Sequence, residues 1–149
     1  MRIVLQRVSC ADVRVEGEVV GAIGAGWLVL LGIGHADTEA IAQKLIDRIV
    51  KLRAFEDDQG KLNLSAEAVG AEFLVVSQFT LYADLSRGRR PSFVGAAPPS
   101  IAAPLVDRFV AILRERGFRV ATGRFGAMMD VDLVNQGPVT FVISDGDWT

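Results

Sequence analysis

Few residues in this chain could do chemistry by themselves, and those few are scattered. His35 is the only histidine and Cys10 the only cysteine. A Ser-His-Asp arrangement would have to use His35, which leaves a glycine-rich strand exit beside Asp37. One cysteine allows neither an intrachain disulfide nor a cysteine-based zinc site. The acidic pairs Asp57-Asp58 and Asp130/Asp132 could bind a cation or act as paired carboxylates, but no third ligand stands near either in sequence. Gly32 and Gly34 precede a helix without the third glycine and later acidic partner of a dinucleotide fingerprint. What remains is a polar strand end, Ser77, Gln78 and Thr80, closing an apolar run. Buried hydroxyls and amides must find partners. Those partners are either neighbouring backbone or a ligand in a pocket floored by the strand end. A threonine hydroxyl is a poor nucleophile without an adjacent base, and none is evident here. An enzyme built this way would borrow its reactive group from a metal, a cofactor or the substrate itself.

Three further features carry functional potential. Arg7 shares a strand face with Ile3 and Leu5, where a charge either reaches solvent at the strand end or meets a specific partner. Arg87, Arg89 and Arg90 form a compact positive run around Gly88, and guanidinium groups so placed can grip phosphates bidentately. Gly137-Pro138 sits between two strand-like runs, Met128 to Val134 and Val139 to Ser144. Proline lacks the ladder N–H and fixes its own φ, while glycine reaches angles closed to other residues. The pair reads as a tight turn between strands or as a rigid backbone wedge at a site. Nothing local decides between them.

The elements that must position these residues follow from periodicity. Ile3 to Ser9 alternates as a strand. Val13 to Val15 and Val19 to Ile23 predict a hairpin turning at Gly17. Trp27 to Ile33 predicts a strand buried on both faces. Asp37-Thr38 opens a helix whose inner stripe is Ile41, Leu45, Ile46, Ile49 and Leu52. Phe55 to Leu64 is a polar segment turning at Asp57 to Gly60. Phe73 to Phe79 predicts a buried strand running straight into Thr80-Leu81-Tyr82. An irregular stretch from Ala83 to Pro99 leads to a second helix from about Ser100 to Gly117, with Ile101, Leu105, Phe109, Ile112 and Leu113 inward. Phe118 to Ala121 and the two runs around Gly137-Pro138 complete the strands. Strands in runs with two main helices argue α+β, with a largely antiparallel sheet or barrel.

At 149 residues the chain reads as one domain, 1–149, able to bury a core without metals or disulfides. A formal net charge of −2 argues against a wholesale nucleic-acid coat and against a DNA-binding role, while a local basic patch remains open. No signal-like start and no membrane-length apolar run stand in the sequence, which reads as soluble and cytoplasmic.

Taken together, these blocks resemble the D-aminoacyl-tRNA deacylase family along essentially the whole chain. The resemblance rests on Met1 to Val8, Leu52 to Asp57, Gly60 to Ser65, Ser77-Gln78-Phe79-Thr80-Leu81-Tyr82 and Gly88-Arg89-Arg90-Pro91-Ser92-Phe93. Thr122 to Ala127 and Asn135-Gln136-Gly137-Pro138-Val139-Thr140 extend it. It implies a homodimer that hydrolyses the ester linking a D-amino acid to the 3′-terminal adenosine of tRNA, and that also removes glycine from mischarged tRNA. It implies a cis Gly137-Pro138 peptide crossing into the partner's pocket, held by Arg7 and supported by Asn135 and Thr140. Ser77, Gln78, Phe79, Thr80 and Met129 would belong to that pocket. The terminal ribose 2′-OH would help activate water while the N–H groups of Phe79 and Thr80 stabilise the oxyanion, with no metal and no cofactor. Arg87, Arg89 and Arg90 would contact tRNA phosphates. Gln136 stands where members usually carry Asp, and Met128 where they carry an acidic or polar residue.

Three rival readings stay open: a related deacylase with a trans Gly-Pro acting on small L-aminoacyl-tRNA, a non-catalytic RNA-binding module using the arginine run, and a small esterase using His35.

Overall fold

One long strand, β1 (Arg2–Val15), is the spine of the sheet, and the computed structural model describes residues 1–146 around it. Its first half pairs antiparallel with β3 (Gly26–Gly32) and its second half with β2 (Glu18–Ile23), so β2 and β3 follow one another along the same edge. Its other edge pairs antiparallel with β8 (Asp130–Ser144) over nearly its whole length. Beyond β3 the sheet changes sense. β3 pairs in parallel with β6 (Glu72–Ser77), and β6 in parallel with β7 (Val120–Thr122). The sheet is therefore largely antiparallel, as expected, with two parallel pairs at one side. Each parallel pair needs a crossover connection, and helices lie in the segments joining β3 to β6 and β6 to β7.

Curling brings β2 round towards β7 and nearly closes a barrel. Gly21 on β2 marks the approach, because a Cβ there would stand 2.4 Å from the Thr122 carbonyl oxygen. Only a residue without a side chain fits that gap.

α1 (Glu39–Lys51) starts at Thr38, whose side-chain oxygen accepts from Ile41 N at 3.4 Å. It buries Ala42, Leu45, Ile46, Ile49 and Val50, largely the expected stripe. Between α1 and β6 lie a small hairpin of β4 (Phe55–Glu56) and β5 (Leu62–Leu64) and the single-turn helix α2 (Ala66–Val69). α3 (Pro99–Glu115) buries Ala102, Val106, Phe109, Val110, Ile112 and Leu113. Ile101 is exposed and Leu105 only half-buried, so the inward stripe lies one residue later than the sequence suggests at the helix start. Both long helices cover one sheet face, where Ile3, Leu5, Trp27, Val29, Leu31, Phe73 and Val75 meet them. Leu28, Leu74 and Val76 point to the opposite face, with Val8, Val13 and Ile23. β3 and β6 are thus buried on both sides, as their unbroken apolar runs predict. No helix among the described residues is long and apolar enough to cross a membrane.

Candidate active site

β6 ends sooner than its sequence implies. Gln78 N still bonds the Leu31 carbonyl at 2.8 Å, but the backbone then turns away, and Phe79–Tyr82 form a 3-10 turn. Phe79 and Thr80 are therefore not strand residues. The first N–H groups of any helical turn lack intrahelical acceptors, and here these belong to Phe79 and Thr80. The Thr80 hydroxyl accepts from Gln78 Nε2 at 2.5 Å, and no carboxylate or imidazole stands in that pair.

The turn forms one wall of a cavity of about 370 Å³. Ser77, Gln78 and Phe79 line it, facing Phe93 and Phe125, whereas Thr80 is not among its wall residues. Phe79 and Phe93 meet edge to face at 5.0 Å between ring centroids. The cavity is an apolar, aromatic-walled space with a few polar groups at one end, the usual make-up of a small-ligand site. Sequence reading misses Phe93 and Phe125 as site residues. They lie in the Gly88 to Phe93 and Thr122 to Ala127 blocks, far from Thr80 in the chain, and only the parallel β6–β7 pairing brings Phe125 near it. Met129 is not a wall residue of this cavity. Its sulfur packs beneath Gly123 and accepts from Arg124 N at 3.4 Å, supporting the turn that presents Phe125.

Gly137-Pro138 is not a turn between two strands. β8 continues through it, and the peptide is cis. Between the pairs Gln6↔Thr140 and Val8↔Asn135, Arg7 alone faces Gln136, Gly137, Pro138 and Val139. The extra residues bulge outward, which is how an edge strand accommodates a proline. Gly137 has φ +123, and a Cβ on it would sit 2.8 Å from Val139 Cγ2 and 3.1 Å from Arg7 Nη2.

Arg7 is 3% exposed and meets three acceptors. Nε donates to the Gln136 carbonyl at 3.2 Å and Nη1 to the Ala54 carbonyl at 2.8 Å, while Nη2 lies 3.4 Å from Glu56 Oε1. The contact to Gln136 uses its backbone, so it does not depend on which side chain stands at that position. Asn135 closes the bulge. With its amide nitrogen on the carbonyls of Arg7 (2.9 Å) and Val139 (3.1 Å), its oxygen accepts from Thr140 Oγ1 at 2.9 Å. Gly137 and Pro138 are exposed on the outer edge of β8 and do not line the cavity of their own chain.

The remaining candidates fall outside this site. Arg87, Arg89 and Arg90 stand exposed on a loop closed by Asp84 and Ser92, which exchange backbone hydrogen bonds of 2.8 and 3.0 Å. His35 Nε2 donates to the Val94 carbonyl at 2.7 Å. Asp57 accepts from the N–H groups of Lys61 and Gln59 and from Asn63, which together hold its carboxyl below the ordinary range. Asp132 pairs with Arg14 at 3.7 Å. Met128 is 91% exposed and Val142 79%.

Residues 4–144 match the family described as D-Tyr-tRNA(Tyr) deacylase. A D-aminoacyl-tRNA deacylase of Chloroflexus aurantiacus is 60% identical over 147 residues, covering 99% of this chain and 92% of the relative. A solved structure described as c-Myc DNA Unwinding Element Binding Protein superimposes with TM-score 0.90 at 40% identity, covering 97% of this chain and 98% of that one. A probable eukaryotic D-amino acid tRNA deacylase shares the fold alone, with TM-score 0.79 at 19% identity, covering 95% and 98%. With the strand-end turn, the cavity and the Arg7-anchored bulge all inside the matched span, the chain belongs to the D-Tyr-tRNA(Tyr) deacylase family.

Proposed function

We propose that this chain hydrolyses the ester of D-aminoacyl-tRNA, releasing free tRNA and the D-amino acid, and so proofreads chirality in translation. The observation that carries the reading is the turn at Phe79–Tyr82, which starts at a wall residue of the apolar cavity, Phe79, and whose first two main-chain N–H groups have no acceptor within the turn. Fixed donors aimed at a developing oxyanion can each lower a barrier by about 3–4 kcal/mol. The terminal ribose 2′-OH of the substrate assists the attacking water, so no protein base is required. The aromatic walls of Phe79, Phe93 and Phe125 suit the terminal base. Glycyl-tRNA, with no side chain to exclude, is cleaved by the same site.

Selectivity is assigned to Gly137-Pro138 of a second copy. Two observations support this. The pair is exposed and does not line its own cavity, and β8 presents a long outer edge carrying exposed Val134 and Val142. An uncovered edge of that length is an association site. In the homodimer the bulge of one subunit enters the cavity of the other, where its carbonyl oxygens hold the bound D-amino acid and occupy the space an L side chain needs. Exclusion by a rigid backbone rejects the wrong substrate outright.

Deacylation of D-Tyr-tRNA and L-Tyr-tRNA by the purified chain tests the reading. Cleavage of the D ester with sparing of the L ester is expected. Preference for small L-aminoacyl-tRNA, or tRNA binding without cleavage, would replace it.

A further inference from the structure

We propose that Glu56 is a positioning residue for chiral selectivity, acting through Arg7 on Gly137-Pro138; the proposal rests on the deacylase reading above. A guanidinium keeps its charge in a protein, and a buried charge is costly unless paired and hydrogen-bonded. Arg7 is buried, and the ion pair it makes is with Glu56. Its other two partners are carbonyls, Ala54 from the segment that carries Glu56 and Gln136 from the bulge. The guanidinium is therefore a bridge. One end is fixed on residues 54–56, and the other holds the residue before Gly137.

The fixed end is itself braced. Ala54 is 1% exposed, and the Phe55 ring packs edge-on against Trp27 at 5.0 Å. Trp27 pairs opposite Arg7 in the β1–β3 ladder and also stacks edge to face with Phe141 of β8, their ring centroids 6.3 Å apart. One indole thus sets the spacing between the segment carrying Glu56 and the strand carrying the bulge. The Glu56 carboxylate is half-exposed, and exposed ion pairs contribute little to stability. Its contribution is directional: it fixes which way the Arg7 fork points, and hence where Gln136 and Gly137 lie. Selectivity should then be more sensitive to Glu56 than folding is.

Single-turnover hydrolysis of D-Tyr-tRNA and L-Tyr-tRNA by Glu56→Ala and Glu56→Gln tests this. The expected result for Glu56→Ala is a D-over-L rate ratio reduced about tenfold, equivalent to about 1.4 kcal/mol. Glu56→Gln keeps an acceptor without the charge, so its ratio falls less while the fold is preserved. In an Arg7→Ala background, Glu56→Ala should change the ratio no further, because the two residues act as one unit. A merely structural role would slow both esters together and leave the ratio intact. An unchanged ratio in both Glu56 variants, or a further drop of similar size without Arg7, overturns the proposal. A wild-type chain that cleaves both esters alike refutes the chiral reading itself and this proposal with it; the wild-type control thus separates the two failures.

Discussion

Replacing Thr80 by valine separates a positioning hydroxyl from a nucleophile. In the structure the Thr80 Oγ1 accepts a 2.5 Å hydrogen bond from Gln78 Nε2, and both residues lie near the surface. Removing the hydroxyl frees an amide that water can satisfy, so the stability cost lies at the low end of the about 0.5–1.5 kcal/mol of a typical hydrogen bond. The donors assigned to the oxyanion are main-chain N–H groups and survive any side-chain change. Removing a positioning bond of about 1.4 kcal/mol slows hydrolysis about tenfold. Loss of a true hydroxyl nucleophile costs about 10⁶-fold in serine enzymes. These outcomes differ by orders of magnitude, well beyond experimental error. Single-turnover deacylation of D-Tyr-tRNA by Thr80→Val, with Thr80→Ser as reference, is the assay, with mass spectrometry of acid-quenched enzyme alongside. A loss beyond about 10⁴-fold that serine rescues, or an aminoacyl adduct on Thr80, would refute the substrate-assisted account.

Gly137→Ala should be costly on two counts, a φ of +123 and a Cβ pressed to 2.8 Å from Val139 Cγ2. Backbone strain of this kind costs about 1–3 kcal/mol, so thermal denaturation should show a clear loss alongside a large fall in D-Tyr-tRNA hydrolysis. Tyr82 is the only tyrosine, and burial, then the Asp37 carboxylate, pushes its phenol up from 10.0 to about 12. Its stabilising contribution is complete below pH 10.0 and is lost as pH rises through about 12; absorbance titration should place the phenol there, and Tyr82→Phe should flatten the stability loss over that window. Replacing Arg87, Arg89 and Arg90 together with alanine should weaken tRNA binding and make it less salt-dependent, by about 0.7–0.9 in log-log slope for each phosphate no longer neutralised. The single-turnover rate at saturating enzyme should not change, and a changed rate would place these arginines at the chemistry.

Periodicity makes the core legible, while the site depends on pairings that sequence does not display. Trp27 to Ile33 and the Thr38-capped helix stand as read, because burial on two faces and a helical stripe leave direct marks. The Gly-Pro pair suggests a break, yet β8 runs through it. An outer-edge strand needs no inward N–H from proline, and four residues can bulge opposite one. Apolar spacing alone cannot tell a strand from a tight turn, so Phe79 and Thr80 read as strand. The start of α3 reads one residue early because Ala102 and Val106 are small beside the bulky, exposed Ile101. Phe125 and Glu56 reach their places through the β6–β7 pairing and the β4–β5 hairpin, neither of which has a local signature. Arg7 is legible as an anomaly, a charge on an apolar face, but its partners are not.

The central claim is that one subunit's Gly137-Pro138 completes the other subunit's cavity, and subunit complementation tests it most directly. Ala96→Trp fills the cavity, which Ala96 lines, and leaves the bulge intact; Gly137→Ala does the reverse. Each variant alone should hydrolyse D-Tyr-tRNA poorly. After unfolding and joint refolding, random pairing leaves about a quarter of the cavities complete, and D-Tyr-tRNA hydrolysis should recover to about that fraction of wild type. Mixed dimers that form but recover no activity would contradict the claim.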